Sequence, residues 1–569
     1  MANEDSFCVN YFDQGSTMRP TRLLSHTRLR LVLGTVYLLG VGAICGCVAR
    51  AAALTQMVPM GDGVKLATDV YLPGKGKPPF PTILIRTPYG KDGMKGVAAN
   101  LNAQGYAVVS QDMRGRFASE GSHAIIFGND GLGGKHEDGH DTLRWLSQQE
   151  WSNGKVATWG ASALGIAQNM AAPNAPGSLK GQVVIMAFSD YYRQAAYPGG
   201  VWRKELLEGW LKATKMEEGN LATFLEHPTY DDFWKGLSAE GHAEQVNAPG
   251  LYVGGWYDIF LQGTINSFTN VQQRGGPNAR GKCFLVIGPQ AHGAFEEKIE
   301  YPHATEAPIH LIAPMNVLNR WLNGAPDDGK KLQPVHYYVM GAVGEENAPG
   351  NYWRSADTWP PPAKTTPVYL QADHSLKPEK PGSEAALTFK YDPAKPVPTT
   401  GGQNLGIAKG PKDQRPIESR PDVLAFSTPP LADAAEVTGR LTARLYVSSD
   451  CPDTDFTVKL TDVYPDGRSM LVADGIQRAS LRKSLEKREL LKPGSVYELN
   501  VDLWSTSLVF NRGHRIRVAV SSSNAPRFEP NANTGDAHPI PGHTRIATNQ
   551  VHLSARYPSC IELPLYAKP

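Results

Sequence analysis

The sequence predicts an α/β body on a mainly parallel sheet, with an inserted helical cap and a C-terminal all-β domain. Three observations carry this. Short apolar runs alternate with helix-length segments from Thr82 to Ile287, the rhythm breaks between residues 189 and 247, and strand-like alternation takes over beyond Trp359-Pro360-Pro361-Pro362. A chain of 569 residues also exceeds the size at which one core stops growing, so several domains are expected.

The first element, residues 1–51, reads as a leader. Arg19, Arg22, Arg28 and Arg30 precede the apolar run Leu31 to Ala49, and the small residues Ala51-Ala52-Ala53 follow it. That order is a secretory signal, with Met18 as a candidate start. Ile44-Cys45-Gly46-Cys47 resembles a lipoprotein cleavage box, with Cys47 as the acylated residue, whereas Ala49-Arg50-Ala51 suits ordinary signal peptidase. The run is also nearly long enough to stay as a membrane anchor. An exported protein is expected: periplasmic, extracellular or membrane-anchored.

Residues 52–188 form the first part of the body. Alternating stretches on either side of Gly61-Asp62-Gly63 predict a hairpin. The runs Thr82 to Ile85, Ala107 to Val109, Lys155 to Trp159 and Gln182 to Phe188 then predict strands of a parallel sheet covered on both faces. The insertion, residues 189–247, has helical spacing without a strand and predicts a cap over the strand ends. Residues 248–358 resume the rhythm with Leu251 to Gly254 and Cys283 to Ile287, and end in the amphipathic helix around Leu318-Asn319-Arg320-Trp321-Leu322. Residues 359–569 carry alternating strands such as Val437 to Ser448, Phe456 to Val463, Tyr497 to Val501 and Arg515 to Ser521, which read as a jelly-roll sandwich.

Charge narrows the function classes. Beyond residue 51 there remain 52 basic and 52 acidic residues, so there is no electrostatic reason to expect nucleic acid. Of the six cysteines, Cys8, Cys45 and Cys47 lie in the leader. Cys283 sits in an apolar run and reads as a buried small hydrophobe, and Cys451 and Cys560 could pair after export.

The chemistry-bearing feature is Thr158-Trp159-Gly160-Ala161-Ser162-Ala163-Leu164-Gly165, which puts Ser162 between two glycines after a strand-like run and before a helix-like one. That is the pattern of a nucleophile elbow, a strained corner that needs small neighbours. A serine hydroxyl is a poor nucleophile without a histidine base, and the histidine needs a carboxylate to fix its tautomer. Asp258 and His292 follow later strand-like runs, in the chain order serine, acid, histidine that an α/β hydrolase uses. This chemistry needs no cofactor and no metal.

At these residues the chain resembles a family, the cocaine esterase-like serine hydrolases related to X-Pro dipeptidyl peptidases, glutaryl-cephalosporin acylases and α-amino acid ester hydrolases. The resemblance runs from about Val58 to the C-terminus. It rests on Arg86-Thr87-Pro88-Tyr89, Gln111-Asp112-Met113-Arg114-Gly115-Arg116, Glu137-Asp138-Gly139-His140-Asp141, the Ser162 elbow, Gly255-Trp256-Tyr257-Asp258, Gly288-Pro289-Gln290-Ala291-His292 and Asp453-Thr454-Asp455-Phe456. It implies an α/β-hydrolase domain with a helical cap and a C-terminal jelly roll. It also implies an oxyanion hole made of the Tyr89 hydroxyl and the backbone N–H of Ala163. The family usually has tyrosine where this chain has Ala163, and tryptophan where it has Gln290, so the family's substrates do not transfer.

His136 and His140 are four apart, yet no third ligand is placed and the acidic residues around them fit a helix start better than a metal site. Arg114 and Arg116 beside Asp112 suit loop-ordering ion pairs more than anion binding. The expected function is hydrolysis of carboxylic esters or amides, with a small-molecule ester, amide or peptide as partner. Removal of X-Pro dipeptides is the alternative inside the family; it would need an anionic anchor for the substrate amine, and although Glu296 and Glu297 follow His292, nothing in the sequence places them in the pocket. A non-catalytic carbohydrate- or polymer-binding protein is the alternative outside it.

Overall fold

The structure is a computed structural model describing residues 53–566, apart from Ala124, residues 131–136, 297–298 and 327–331, Glu346 and Ser383. The leader with Cys8, Cys45 and Cys47, and likewise His136 and Glu297, lie outside the described residues. Among the described residues no helix is long and apolar enough to cross a membrane.

The body sheet has ten strands: β1 (Leu54–Pro59), β2 (Lys65–Tyr71), β3 (Phe80–Thr87), β4 (Ala107–Asp112), β5 (Ser152–Ala161), β6 (Leu179–Ile185), β7 (Gly250–Tyr257), β8 (Phe284–Ala291), β9 (Val335–Val339) and β10 (Tyr352–Ala356). They lie in the order β1-β2-β4-β3-β5-β6-β7-β8-β9-β10. From β4 to β9 the neighbours are parallel. The predicted hairpin is the β1–β2 pair, closed by a turn in which Gly63 adopts φ +88°, a value open to glycine at no steric cost. Strands β4, β7 and β9 are buried at every residue, as a sheet covered on both faces requires.

Two strands of the body went unpredicted. β9 and β10 follow the amphipathic helix Pro314–Asn323 and extend the sheet at its edge, β9 parallel to β8 and β10 antiparallel to β9. Their sequences, Val335-His336-Tyr337-Tyr338-Val339 and Tyr352-Trp353-Arg354-Ser355-Ala356, lack clean alternation because the successive residues Tyr337 and Tyr338 both pack on aromatic rings, Tyr337 on Trp359 and Tyr338 on Tyr301 and Trp353.

The insertion contains the helices Lys204–Thr214, Asn220–Glu226 and Asp232–Lys235 and no strand among the described residues. Helix Lys204–Thr214 buries Leu206, Leu207 and Leu211 in the large hydrophobic core, as its 3.6-residue spacing dictates.

The tail holds a seven-stranded and a four-stranded sheet, antiparallel throughout, whose inner faces share Leu441, Leu445, Val458, Leu460 and Val518. The strand expected over Tyr497 to Val501 runs on to Phe510. Its second half, Ser505-Thr506-Ser507, hides its alternation because these hydroxyls are buried: Ser505 donates to Gln262 on the body helix Leu261–Arg274 and Ser507 pairs with Thr438. Cys451 and Cys560 are separate buried thiols, which corrects the pairing the sequence allowed. Cys560 lies in register with Arg444 and accepts from its guanidinium, while Cys451 donates toward the Ile546 carbonyl.

Candidate active site

Ser162 stands at the corner between β5 and the helix Ala163–Ala171, with φ +56° and ψ −125°. A non-glycine residue held there is strained by about 1–3 kcal/mol, and the two flanking glycines explain how the corner closes. A Cβ on Gly160 would come within 2.3 Å of the Leu164 side chain, and one on Gly165 within 2.9 Å of the Ala187 methyl. The predicted glycine requirement is thus steric.

Asp258 follows β7 and His292 follows β8, which brings both to the same carboxyl edge of the sheet as Ser162. The His292 Nε2 lies 2.9 Å from the Ser162 Oγ, and its Nδ1 lies 2.5 Å from an Asp258 carboxylate oxygen. The other Asp258 oxygen accepts from the Phe260 backbone N–H at 2.8 Å. Asp258 is fully buried and His292 only slightly exposed. A carboxylate at Nδ1 fixes the tautomer with the proton on that nitrogen, leaving Nε2 free to accept the serine proton. The Phe260 ring meets the imidazole edge-on with centroids 5.6 Å apart.

Tyr89 lies past the end of β3, half-buried, its backbone N–H held by the Thr87 hydroxyl. Ala163 opens the helix, so its N–H has no carbonyl within the helix to bond. The Tyr89 hydroxyl accepts from the Trp210 indole N–H at 3.0 Å. Trp210 belongs to the cap helix and stacks on Phe127 at 6.2 Å and 8°. Nothing in the sequence distinguished this tryptophan from other aromatic residues of the insertion.

Arg203 is a second residue the sequence did not single out. It is 1% exposed, and its guanidinium donates to three backbone carbonyls: Gln194 in the cap, Ile259 beside Asp258, and Gln403 in the tail. Burial first, and the nearby Arg527 charge second, hold its pKa down to about 9. Gln403 in turn donates to the Trp256 carbonyl on β7. The strand that delivers Asp258 is therefore tied to both cap and tail.

The remaining candidates have ordinary partners. Arg114 forks onto Asp138 at 2.6 and 3.0 Å and reaches Asp62 at 2.8 Å, while Arg116 donates to the Pro88 and Thr214 carbonyls, loop to cap. His140 engages the Asn174 carbonyl from within the helix Asp138–Ser147, and no metal-ligating cluster occurs among the described residues. Glu296 accepts from the Lys409 backbone N–H and pairs with its ammonium. Gln290 folds back onto the strand ladder and donates to the Gly254 carbonyl. Burial pushes the Cys283 thiol up to about 12, as expected of an inert core residue.

Comparison with known proteins gives this geometry its context. The X-Pro dipeptidyl-peptidase (S15) family matches residues 62–223 and 208–294, and the X-Pro dipeptidyl-peptidase C-terminal non-catalytic domain matches residues 328–562. The cocaine esterase of Rhodococcus sp. (strain MB1 Bresler) is 35% identical over 90% of this chain and 98% of its own. The chain belongs to the S15 family. It is a serine hydrolase. An aminopeptidase from a marine-sediment Thaumarchaeota archaeon is 27% identical in sequence, with a TM-score of 0.78 over 91% of this chain and 96% of that one. An α-amino acid ester hydrolase is 26% identical, with a TM-score of 0.77 over 92% and 98%. In this S15 hydrolase the segment matching the C-terminal domain starts before β9, so that segment also supplies the two edge strands of the body sheet.

Proposed function

We propose that the protein hydrolyses carboxylic esters, and amides of similar shape, through an acyl-enzyme on Ser162. The observation that carries this reading is the continuous hydrogen-bonded chain from Ser162 through His292 to the buried Asp258. In the first half, His292 Nε2 takes the serine proton as Oγ attacks the carbonyl carbon, and returns it to the leaving alcohol or amine as that bond breaks. In the second, His292 takes a proton from water, the hydroxide adds to the acyl carbon, and Ser162 leaves with the proton restored. The Tyr89 hydroxyl and the Ala163 N–H are the proposed donors to the oxyanion, stabilising charge that exists only in the tetrahedral intermediates. Asp258 stays ionised throughout and stabilises the imidazolium.

The ester reading is preferred to X-Pro dipeptide removal because Glu296, the nearest described carboxylate after His292, is already engaged with Lys409 in the tail. Export through the leader is part of the proposal. A panel of p-nitrophenyl esters of varied acyl length beside an X-Pro aminocoumarin tests the reaction. Ester turnover is expected, and Ser162→Ala should reduce it by roughly 10⁴ or more. Turnover of the X-Pro substrate alone, or substantial activity in the alanine variant, would overturn the reading.

A further inference from the structure

A single peptide unit joins Arg203 to Asp258. The bond between Ile259 and Phe260 presents its carbonyl to the Arg203 Nη1 at 2.9 Å and its N–H to an Asp258 carboxylate oxygen at 2.8 Å. This peptide is trans, so the two groups point to opposite sides of one rigid plane, and fixing the carbonyl fixes the direction of the N–H. The second Asp258 oxygen meets the His292 Nδ1 at 2.5 Å, and the Phe260 ring lies edge-on to the same imidazole. The hydrogen-bonded chain from Ser162 to Asp258 therefore continues through a backbone amide to a guanidinium.

Arg203 is itself held at every end. Its N–H donates to the Ala196 carbonyl at 2.8 Å, and its own carbonyl accepts from the Leu207 N–H in the first turn of the cap helix. The guanidinium also donates to the Gln403 carbonyl in the tail at 2.5 Å, and the Gln403 side chain returns to the Trp256 carbonyl on β7. Burying a cation on backbone carbonyls is costly, and a neutral side chain could bridge cap and tail at less expense, so the charge calls for a reason. Burial holds its pKa down to about 9, which still leaves it charged at neutral pH. A hydrogen bond from a charged donor is stronger than a neutral one, and a carbonyl polarised in this way makes the N–H of the same peptide a better donor.

We propose that Arg203 is a positioning residue for the reaction at Ser162: through the Ile259–Phe260 peptide it aims and strengthens the hydrogen bond that fixes the Asp258 carboxylate against His292. The inference rests on the acyl-enzyme reading given above. Arg203 touches neither the substrate nor the reacting atoms. Without it the Asp258 carboxylate loses its fixed orientation and holds the imidazole less well as that ring gains charge. The triad is then complete only when the cap, which carries Arg203, and the tail, which supplies the Gln403 carbonyl, are both docked on the body.

The test is a double-variant cycle on the full chain, reading kcat/KM for a p-nitrophenyl ester below the melting temperature of each variant. Asp258→Asn alone should lower kcat/KM by roughly 10³–10⁴. Arg203→Met should lower it by about 10- to 100-fold in the parent, but by less than about threefold in the Asp258→Asn background, where the carboxylate it serves is gone. Arg203→Lys keeps the charge without the planar fork, so it gives the same cycle with a loss of about tenfold, and it replaces the methionine variant where that protein does not fold. Equal losses in the two Asp258 backgrounds, as a purely structural residue would give, would overturn the proposal. A folded Arg203 variant with full activity would do the same. Asp258→Asn with full activity would instead overturn the triad itself, which keeps the two failures apart.

Discussion

The hydroxyl of Tyr89 accepts a hydrogen bond from the indole of Trp210 across the boundary between body and cap. A phenol that accepts through its oxygen keeps its own proton to donate and is polarised toward donating it. Tyr89→Phe should therefore lower kcat by about 10²–10³ with little change in KM. A turnover within a few-fold of the parent would return the second oxyanion donor to a backbone amide. Trp210→Phe keeps an aromatic ring against Phe127 but loses the N–H, so kcat should fall by a smaller factor, with the loss absent in the Tyr89→Phe background. Additive losses in the double variant would show that the two residues act separately.

Strain at Ser162 gives a second prediction. With φ at +56° the serine sits where glycine is at ease, so Ser162→Gly should be more stable than Ser162→Ala by about 1 kcal/mol, although both are inactive. Chemical denaturation of the pair measures this. Equal midpoints would mean that the corner is not strained.

The tail is predicted to be inseparable from activity. Tyr257 donates to the Leu471 carbonyl, Gln403 to that of Trp256, and Arg203 to that of Gln403, all at the strand that leads to Asp258. Truncation after Pro362 should give insoluble or inactive protein. A soluble truncation with full activity would make the tail a detachable module.

His514 offers a pH test of the contact between tail and body. Burial lowers its pKa, but the hydrogen bond and charge of Asp462, with the charge of Glu345, raise it by more, so the net value lies above 6.5. A raised histidine contributes stability that is fully present below pH 6.5 and is lost as the pH climbs through the raised value. The Tm gap between the parent and His514→Gln should thus be widest near pH 6 and narrow above it. A gap that is flat or widens with pH would contradict this.

What the sequence disclosed was whatever leaves a local pattern. The short runs of β3 to β8 stood out because a strand buried on both faces is continuously apolar, and the Ser162 corner because it needs glycine on both sides. The order of Ser162, Asp258 and His292 after successive strands was legible for the same reason. β9 and β10 were not, because their tyrosines and tryptophans pack on either face and erase the alternation. Arg203 and Trp210 were invisible for a different reason. Trp210 acts through its indole N–H on Tyr89 and Arg203 through its guanidinium on carbonyls of Ile259 and Gln403, all far away in the chain, and no spacing records such contacts. The two tail thiols show the limit from the other side: two cysteines in one β domain invite pairing, yet Cys560 opens a strand beside Arg444 while Cys451 lies past the end of another strand, against the Ile546 carbonyl.

The central step is acylation of the Ser162 Oγ. Labelling the purified protein with a fluorophosphonate, followed by intact-mass measurement and peptide mapping, tests this most directly. The prediction is one phosphonyl group per chain on the peptide containing Ser162, with parallel loss of esterase activity and no labelling of Ser162→Ala. Esterase activity that survives complete labelling, or a label on any other residue, would contradict it.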